Sequence, residues 1–266
     1  QKIIDIHDGH YQASASPVMS GNAVSGIALL IFDVTERENS EQMRREFTAN
    51  VSHELRTPLH SISGYAELLK NGMVKSGDVK PVATKIYDEA QRMVRLVEDI
   101  INLSHLDEGA EDMIKEEVDL YDIVRSTIES LSPEAEAAGV TVSFSGQHVA
   151  VNGISQLLSG IVYNLCDNAI KYNRQGGSVS VSLSSDEKDA VLTVSDTGIG
   201  IPAEHQQRIF ERFYRVDKSH SKEVGGTGLG LSIVKHAAKI HDAKIKLSSV
   251  PDQGTEITVI FPKSLS

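Results

Sequence analysis

His53 stands in the run Phe47-Thr-Ala-Asn-Val-Ser-His-Glu-Leu-Arg-Thr-Pro-Leu59, with Glu54 beside it and Thr57 four residues on. An imidazole next to a carboxylate is a competent nucleophile: the carboxylate can orient or accept the ring proton while the other nitrogen attacks. Val51 belongs to an apolar stripe with helical spacing. At about 100° per residue, His53 lies roughly 200° round from Val51 and points to solvent. Thr57, at i+4, shares that outer face. Pro58 removes the N–H that would bond the Glu54 carbonyl, which predicts a bend just past the site. Most lone histidines are solvated surface side chains, and that reading applies to His7, His10, His60, His105, His148, His205, His236 and His241. No His or Cys stands at ligand spacing on the His53 face, which argues against a metal there.

Three further constellations could hold a charged ligand. Asn164, Asn168 and Lys171 share one face of the helical segment Asn164-Leu-Cys-Asp-Asn-Ala-Ile-Lys-Tyr172. Amide oxygens ligate a hard cation and an ammonium neutralises phosphate, so the stripe suits a magnesium–phosphate complex; a polar solvent face has the same composition. Asp196-Thr-Gly-Ile-Gly-Ile-Pro202 follows a strand. A carboxylate there can accept from an exocyclic amine while the glycines let the backbone approach a ring, although a plain Asp-Gly turn reads alike. Gly225-Gly-Thr-Gly-Leu-Gly-Leu-Ser-Ile-Val234 opens directly into an apolar helix, whose first N–H groups could cradle phosphates. It is not a Walker loop, lacking Gly-Lys-Ser/Thr, nor a dinucleotide fingerprint, lacking a strand immediately before it. Residues 208–222 carry the aromatic anchors Phe210, Phe213 and Tyr214 and then a polar, basic stretch. A nucleotide lid has that composition, and so does an ordinary surface loop.

These residues need elements to hold them. Residues 3–6, 11–15 and 27–32 read as short strands, with a hairpin turn at Asp8-Gly9 and a Gly-containing loop at 20–26. Thr35-Glu-Arg-Glu38 has capping-box spacing. Phe47, Val51, Leu55, Pro58, Ile62, Ala66 (or Tyr65) and Leu69 then form a stripe with a period of about 3.5 residues, and Asn71-Gly72 ends the helix. After a loop near 75–78, a second stripe holds Val82, Ile86, Met93, Val97 (or Leu96), Ile100 and Leu103. Two such helices make a hairpin whose seam is half open, and a second copy would close it into a four-helix bundle. Residues 107–111 read as a linker. Beyond them, helices at 120–138, 154–172 and 230–240 alternate with strands at 140–145, 179–183, 190–195, 244–248 and 256–261. That pattern is an α/β sandwich, a mixed sheet with helices on one face, so the whole chain is α+β and multidomain.

The 266 residues suffice for two ordinary domains, and 40% hydrophobic with 24% charged content excludes wholesale disorder. A net charge of −11 argues against general nucleic-acid binding. Cys166 is the only cysteine, which excludes an intrachain disulfide or a cysteine zinc site and fits a reducing, cytoplasmic setting. The longest apolar run, Gly26-Ile-Ala-Leu-Leu-Ile-Phe32, is far short of the roughly 20 residues of a membrane span, so no membrane contact is expected from this stretch. The chain begins with Gln1 in what reads as the middle of a sheet, and the expectation is a piece of a longer protein.

In order and content, these motifs resemble the sensor histidine kinases of two-component systems over residues 37–262. His53-Glu-Leu-Arg-Thr-Pro resembles the phosphoacceptor box, 164–172 the N box, Asp196-Thr-Gly-Ile-Gly the G1 box, 210–214 the F box and Gly226-Thr-Gly-Leu-Gly the G2 box. The look is that of the phosphate-sensing or cell-wall-sensing type. Asp33-Val-Thr-Glu36 is similar to the tail of a PAS sensor domain. The resemblance implies a PAS-like fragment at 1–35, a dimerising phosphotransfer hairpin at 36–108 and a GHKL-type (Bergerat) ATP-binding domain at 109–266. It implies ATP with Mg²⁺ as cofactors, a homodimer, and a response-regulator receiver domain as partner. His53 would attack the γ-phosphate with Glu54 as base, then pass the phosphoryl to a regulator aspartate. Thr57 would orient water for the reverse phosphatase reaction. Asn168 would ligate Mg²⁺, with Asn164 and Lys171 on the phosphates, Tyr172 packed on the base and Asp196 accepting from the adenine amine. Gly198 and Gly200 would shape the adenine pocket. Gly226, Thr227, Gly228, Leu229 and Gly230 would serve the phosphates, with Arg215 a lid residue for the γ-phosphate. The resemblance also implies a longer parent anchored in the cell membrane. Two other readings stand beside it, a GHKL-type ATPase clamp and a non-catalytic dimeric sensor module. His53-Glu54 on an exposed face weighs against the first, and the intact Asn168, Asp196 and glycine loops against the second.

Overall fold

The structure, a computed structural model, describes residues 2–7, 9–107, 113–216 and 226–263. The chain divides into two compact units, Gln1–Thr57 and Pro58–Ser266. The first holds an antiparallel sheet of β1 (Lys2–Ile6), β2 (Gly9–Ser20) and β3 (Ala23–Asp33), in that order, and most of the helix α1 (Thr35–Lys70). The expected loop at 20–26 is much shorter: Ser20 pairs with Ala23, and Gly21, at φ 64°, turns the chain. In the first hairpin Ile6 pairs with Gly9, so His7 takes the left-handed φ of 52° and Gly9 is strand; Asp8 lies outside the described residues. The capping box is also replaced. Asp33 Oδ1 accepts the Thr35 N–H at 3.0 Å and the Thr35 hydroxyl at 2.6 Å, while Thr35 Oγ1 accepts the His10 N–H at 2.9 Å. Thr35 thereby ties sheet to helix, and its hydroxyl, more than its N–H, holds the Asp33 carboxyl below the usual range.

α1 continues through Pro58 and ends before Gly72, which takes φ 65° as the C-terminal stop requires. Of the alternatives on the stripe, Tyr65 is the more sheltered, and the Lys85 ammonium lies 5.5 Å from its ring centroid. A 3-10 turn (Ser76–Asp78) leads to α2 (Val79–Asp107). Leu96, not Val97, sits in the buried stripe, with Leu103 and Leu106 following it. The linker expected at 107–111 lies outside the described residues except for Asp107, which closes α2.

Beyond it come β4 (Glu116–Asp119), α3 (Leu120–Ala138), β5 (Thr141–Gly146), β6 (Ala150–Gly153), α4 (Ser155–Lys171), β7 (Ser178–Ser185), β8 (Asp189–Asp196), the short α5 (Ala203–Gln206), α6 (Gly230–Ile240), β9 (Lys244–Val250) and β10 (Gly254–Pro262). The main sheet runs β5-β7-β8-β10-β9, with β5 and β7 parallel and the other pairs antiparallel. A parallel pair needs a crossover, and α4 supplies it. α3, α4 and α6 pack side by side, and alternate strand residues meet them: Val179, Val181, Leu192 and Val194 face Leu158, Ile161, Val162 and Val234 in a core closed to solvent. Truncating a leucine as buried as Leu158 to alanine costs about 2–5 kcal/mol, so the floor under α4 is firmly held. The small β4–β6 sheet was not expected from the sequence.

Candidate nucleotide site and phospho-acceptor histidine

α4 runs into the cavity with its polar stripe outward. Asn164, Asn168, Lys171 and Tyr172 line a cavity of 630 Å³ together with Asp196, Gly200, Arg215 and the loop Gly226, Thr227, Gly228 and Gly230. The Asn164 amide nitrogen bonds back to the Gly160 carbonyl at 2.8 Å, which turns its oxygen to the start of α6. A Cβ on Gly230 would sit 2.5 Å from that oxygen, so only glycine lets α6 begin so close to α4. Asn168, one turn on, makes no side-chain hydrogen bond among the described residues. Lys171 is already neutralised, its ammonium 2.6 Å from Asp167 Oδ2 in a pair largely shielded from solvent. Asp167 was missed from the sequence, although its i,i+4 spacing to Lys171 was readable.

At the other end of the cavity, Asp196 closes β8. Its Oδ1 accepts the Gly198 N–H at 2.7 Å and the Thr255 N–H at 3.2 Å, while burial pushes the carboxyl above its usual range against those bonds. Gly198 lies behind the lining, pressed against the Tyr172 carbonyl, which also accepts the Ile199 N–H at 3.1 Å. Arg174, another residue missed from the sequence, staples this loop to the β9–β10 turn. Its guanidinium donates to the carbonyls of Thr197 at 2.7 Å, Gly198 at 3.0 Å and Asp252. The Tyr172 hydroxyl faces Gly226, and burial raises its pKa, with the Arg215 charge opposing.

The described residues on either side of 217–225 are joined to one another. The Phe213 N–H donates to the Gly228 carbonyl at 2.9 Å, and Phe213 takes a left-handed φ of 61° to do so, a strained choice for an aromatic residue. The Tyr214 hydroxyl bonds His205 at 2.7 Å, and the Arg208 guanidinium lies 4.3 Å from the Tyr214 ring centroid. Residues 217–225 of the expected lid and glycine loop lie outside the described residues. Leu229 is fully buried beneath the loop, so its contribution is a backbone N–H, here 3.3 Å from Thr227 Oγ1. α2 forms part of the same wall through Arg95, Glu98, Asp99 and Asn102, none of which was read from the sequence.

His53 stands on α1 with its side chain 76% exposed, and Nδ1 is 4.0 Å from Glu54 Oε1. The Thr57 hydroxyl donates to the His53 carbonyl at 3.3 Å, which puts it one turn along the same face. Of the histidines read as surface side chains, His241 is buried instead. Its Nε2 accepts the Ile154 N–H at 2.9 Å, so Nδ1 carries the proton and donates to the Ala237 carbonyl at 2.7 Å.

The family model described as "His Kinase A (phospho-acceptor) domain" matches residues 43–109, and "Histidine kinase-, DNA gyrase B-, and HSP90-like ATPase" matches residues 153–265. The sensor histidine kinase WalK of Bacillus subtilis (strain 168) is 35% identical over 243 residues, 90% of this chain and 40% of that protein. The chain thus spans less than half of that relative's length. Full-length ShkA in complex with AMPPNP superposes with a TM-score of 0.61 at 26% identity, over 83% of this chain and 47% of ShkA. ThkA in complex with the response regulator protein TrrA shares the fold, with a TM-score of 0.67 at 21% identity over 98% of this chain and 78% of ThkA. With one model spanning His53 and the other the cavity residues of α4, β8 and the glycine loop, the chain carries the phospho-acceptor and ATPase domains of a histidine kinase.

Proposed function

We propose that the chain is the kinase core of its parent: it binds Mg–ATP in the α4–α6 cavity, phosphorylates His53 and passes the phosphoryl group to an aspartate of a response regulator. The observation that carries this reading is the coexistence of two unlike devices, an exposed imidazole beside a carboxylate and a cavity with a half-buried acceptor at one end and a glycine loop at the other. Asp196 Oδ2, left over once Oδ1 takes two backbone donors, suits the adenine amine. Tyr172 gives the base a wall. The loop amides before α6 and Arg215 suit the phosphates. The uncommitted amide of Asn168 and the outward oxygen of Asn164 are hard donors of the kind magnesium takes beside substrate phosphates. Bound magnesium would neutralise charge on the phosphate oxygens as the γ-phosphoryl leaves.

His53 meets that phosphoryl through Nε2, because Nδ1 faces Glu54. The N–P bond forms as the bond to ADP breaks, and the ring proton moves toward Glu54, which needs to approach by about 1 Å to reach hydrogen-bond distance. The phosphoryl then leaves nitrogen for a regulator carboxylate. Thr57, on the same face, suits positioning of water for the reverse, phosphatase reaction. A second copy suits the hairpin, whose Leu68, Val94, Val97 and Ile101 are exposed apolar residues. No helix among the described residues is long and apolar enough to cross a membrane, so anchoring would fall to other parts of the parent.

Incubation with γ-labelled ATP and Mg²⁺ tests the reading. The expected label is labile in acid, stable in alkali and absent from His53→Gln. Acid-stable label, or release of phosphate without labelling, overturns it in favour of an ATPase.

A further inference from the structure

The phosphate end of the cavity is walled in part by α2, which belongs to the phospho-acceptor hairpin. α2 packs on α6, and Asp99 reaches the glycine loop. Thr227 Oγ1 donates to Asp99 Oδ2 at 2.6 Å and accepts the Leu229 N–H at 3.3 Å. The hydroxyl and, through it, an amide at the entrance to α6 are therefore turned toward a carboxylate. Carboxylate and phosphate oxygens are equivalent partners for such donors. Burial raises the Asp99 carboxyl above its usual range, the Thr227 hydroxyl and Lys171 draw it back, and Asp167 and Glu98 push it up again. The Thr227 bond is thus the main specific contact that keeps a charge on Asp99 there.

Resting on the reading of the cavity as a Mg–ATP site, we propose that Asp99 is a positioning residue that latches Thr227 in the place of a phosphate oxygen, so that Mg–ATP and α2 compete for the glycine loop. ATP must draw the Thr227 hydroxyl off Asp99 before the loop can close on the phosphates, and in doing so it frees α2 from α6. The latched fraction lowers the apparent affinity in proportion.

The test measures Mg–ATP dissociation constants by calorimetry on the whole chain for the parent, Asp99→Ala, Thr227→Val and the double variant. Asp99→Ala is expected to bind about tenfold more tightly, equivalent to about 1.4 kcal/mol. In the Thr227→Val background the same change should have little effect, because the latch is already gone. Thr227→Ser keeps the hydroxyl and should restore the sensitivity to Asp99→Ala. Equal tightening in both backgrounds would mean simple charge repulsion and overturns the latch. So does an unchanged constant in Asp99→Ala. Hydrogen exchange gives a second readout: amides of 94–104 in α2 should exchange faster when Mg–ATP is added to the parent, and unchanged exchange with ATP bound overturns the proposal. Failure of every variant to bind Mg–ATP overturns the nucleotide reading itself, and the latch with it.

Discussion

Gly200→Ala should damage the Asp196 end of the cavity, where the proposed adenine site lies. Gly200 has φ 65°, and a Cβ there would lie 2.1 Å from the Val250 carbonyl oxygen and 2.9 Å from the Pro251 Cα. The left-handed backbone alone costs a non-glycine residue about 1–2 kcal/mol. The contact must also open by more than about 1 Å, and its partner is backbone in the β9–β10 turn, so overpacking adds about 1–3 kcal/mol. That turn cannot retreat freely: the Asp252 N–H donates to the Ile199 carbonyl at 2.9 Å, and Arg174 grips the Asp252 carbonyl. A total of about 2–5 kcal/mol lowers the melting temperature by about 5–15 °C for a domain of this size. Because Asp196 and Gly198 share the displaced loop, Mg–ATP affinity should fall about tenfold or more. Gly226→Ala is the control from the same cavity. Among the described residues its Cβ would meet only the Tyr172 hydroxyl, at the far end of that side chain, at 3.2 Å and Arg215 Nη2 at 4.0 Å, so it should melt within about 1 °C of the parent. Differential scanning fluorimetry with and without Mg–ATP reads both effects. A Gly200→Ala protein that melts with the parent and is equally protected by nucleotide would refute the reasoning.

Thr57→Ala should autophosphorylate within about twofold of the parent, since it removes one exposed hydroxyl bonded to a helix carbonyl, yet lose regulator dephosphorylation. Equal loss of both activities would contradict that division. His241 makes stability depend on pH. Burial depresses its folded pKa below 6.5, so between the folded value and 6.5 the unfolded chain binds more protons. Its contribution is complete above about pH 6.5 and declines as pH falls toward the folded value, by at most about 1.4 kcal/mol per pH unit. His241→Gln should be less stable at pH 7.5 but show a flatter decline in melting temperature down to pH 5.5; parallel curves would remove His241 as the cause.

α3 and α6 have the bounds read from their residues, because each advertises itself locally: Asp119 caps α3, Gly139 ends it at φ 66°, and α6 repeats apolar residues at helical spacing behind a glycine loop. The β4–β6 pair escaped because Glu116-Glu-Val-Asp119 holds a single apolar residue, and its partner strand lies some thirty positions on. His241 did carry a signal, falling four residues after Ala237 and seven after Val234 on the buried face of α6. Its imidazole was misread because a buried, fully bonded histidine and a solvated one have the same letter.

The candidate site divides along the same line. Asn164, Asn168 and Tyr172, or Asp196 and Gly198, lie together within about two turns of helix or a single loop, so spacing alone groups them. Arg174 and Asp99 work across distance in the chain, the first on a carbonyl 78 positions away and the second on a hydroxyl 128 positions away. On α2, Asp99 lies beside the apolar stripe and reads as an ordinary solvated carboxylate. Only the packing of α2 on α6 turns it toward the glycine loop. Binding chemistry can be local because one ligand needs one cluster of donors. Coupling between two domains cannot be local, since it needs a residue of one placed in the site of the other. The contact that reads least well in the sequence is therefore the one where control of the proposed phosphate site is to be sought.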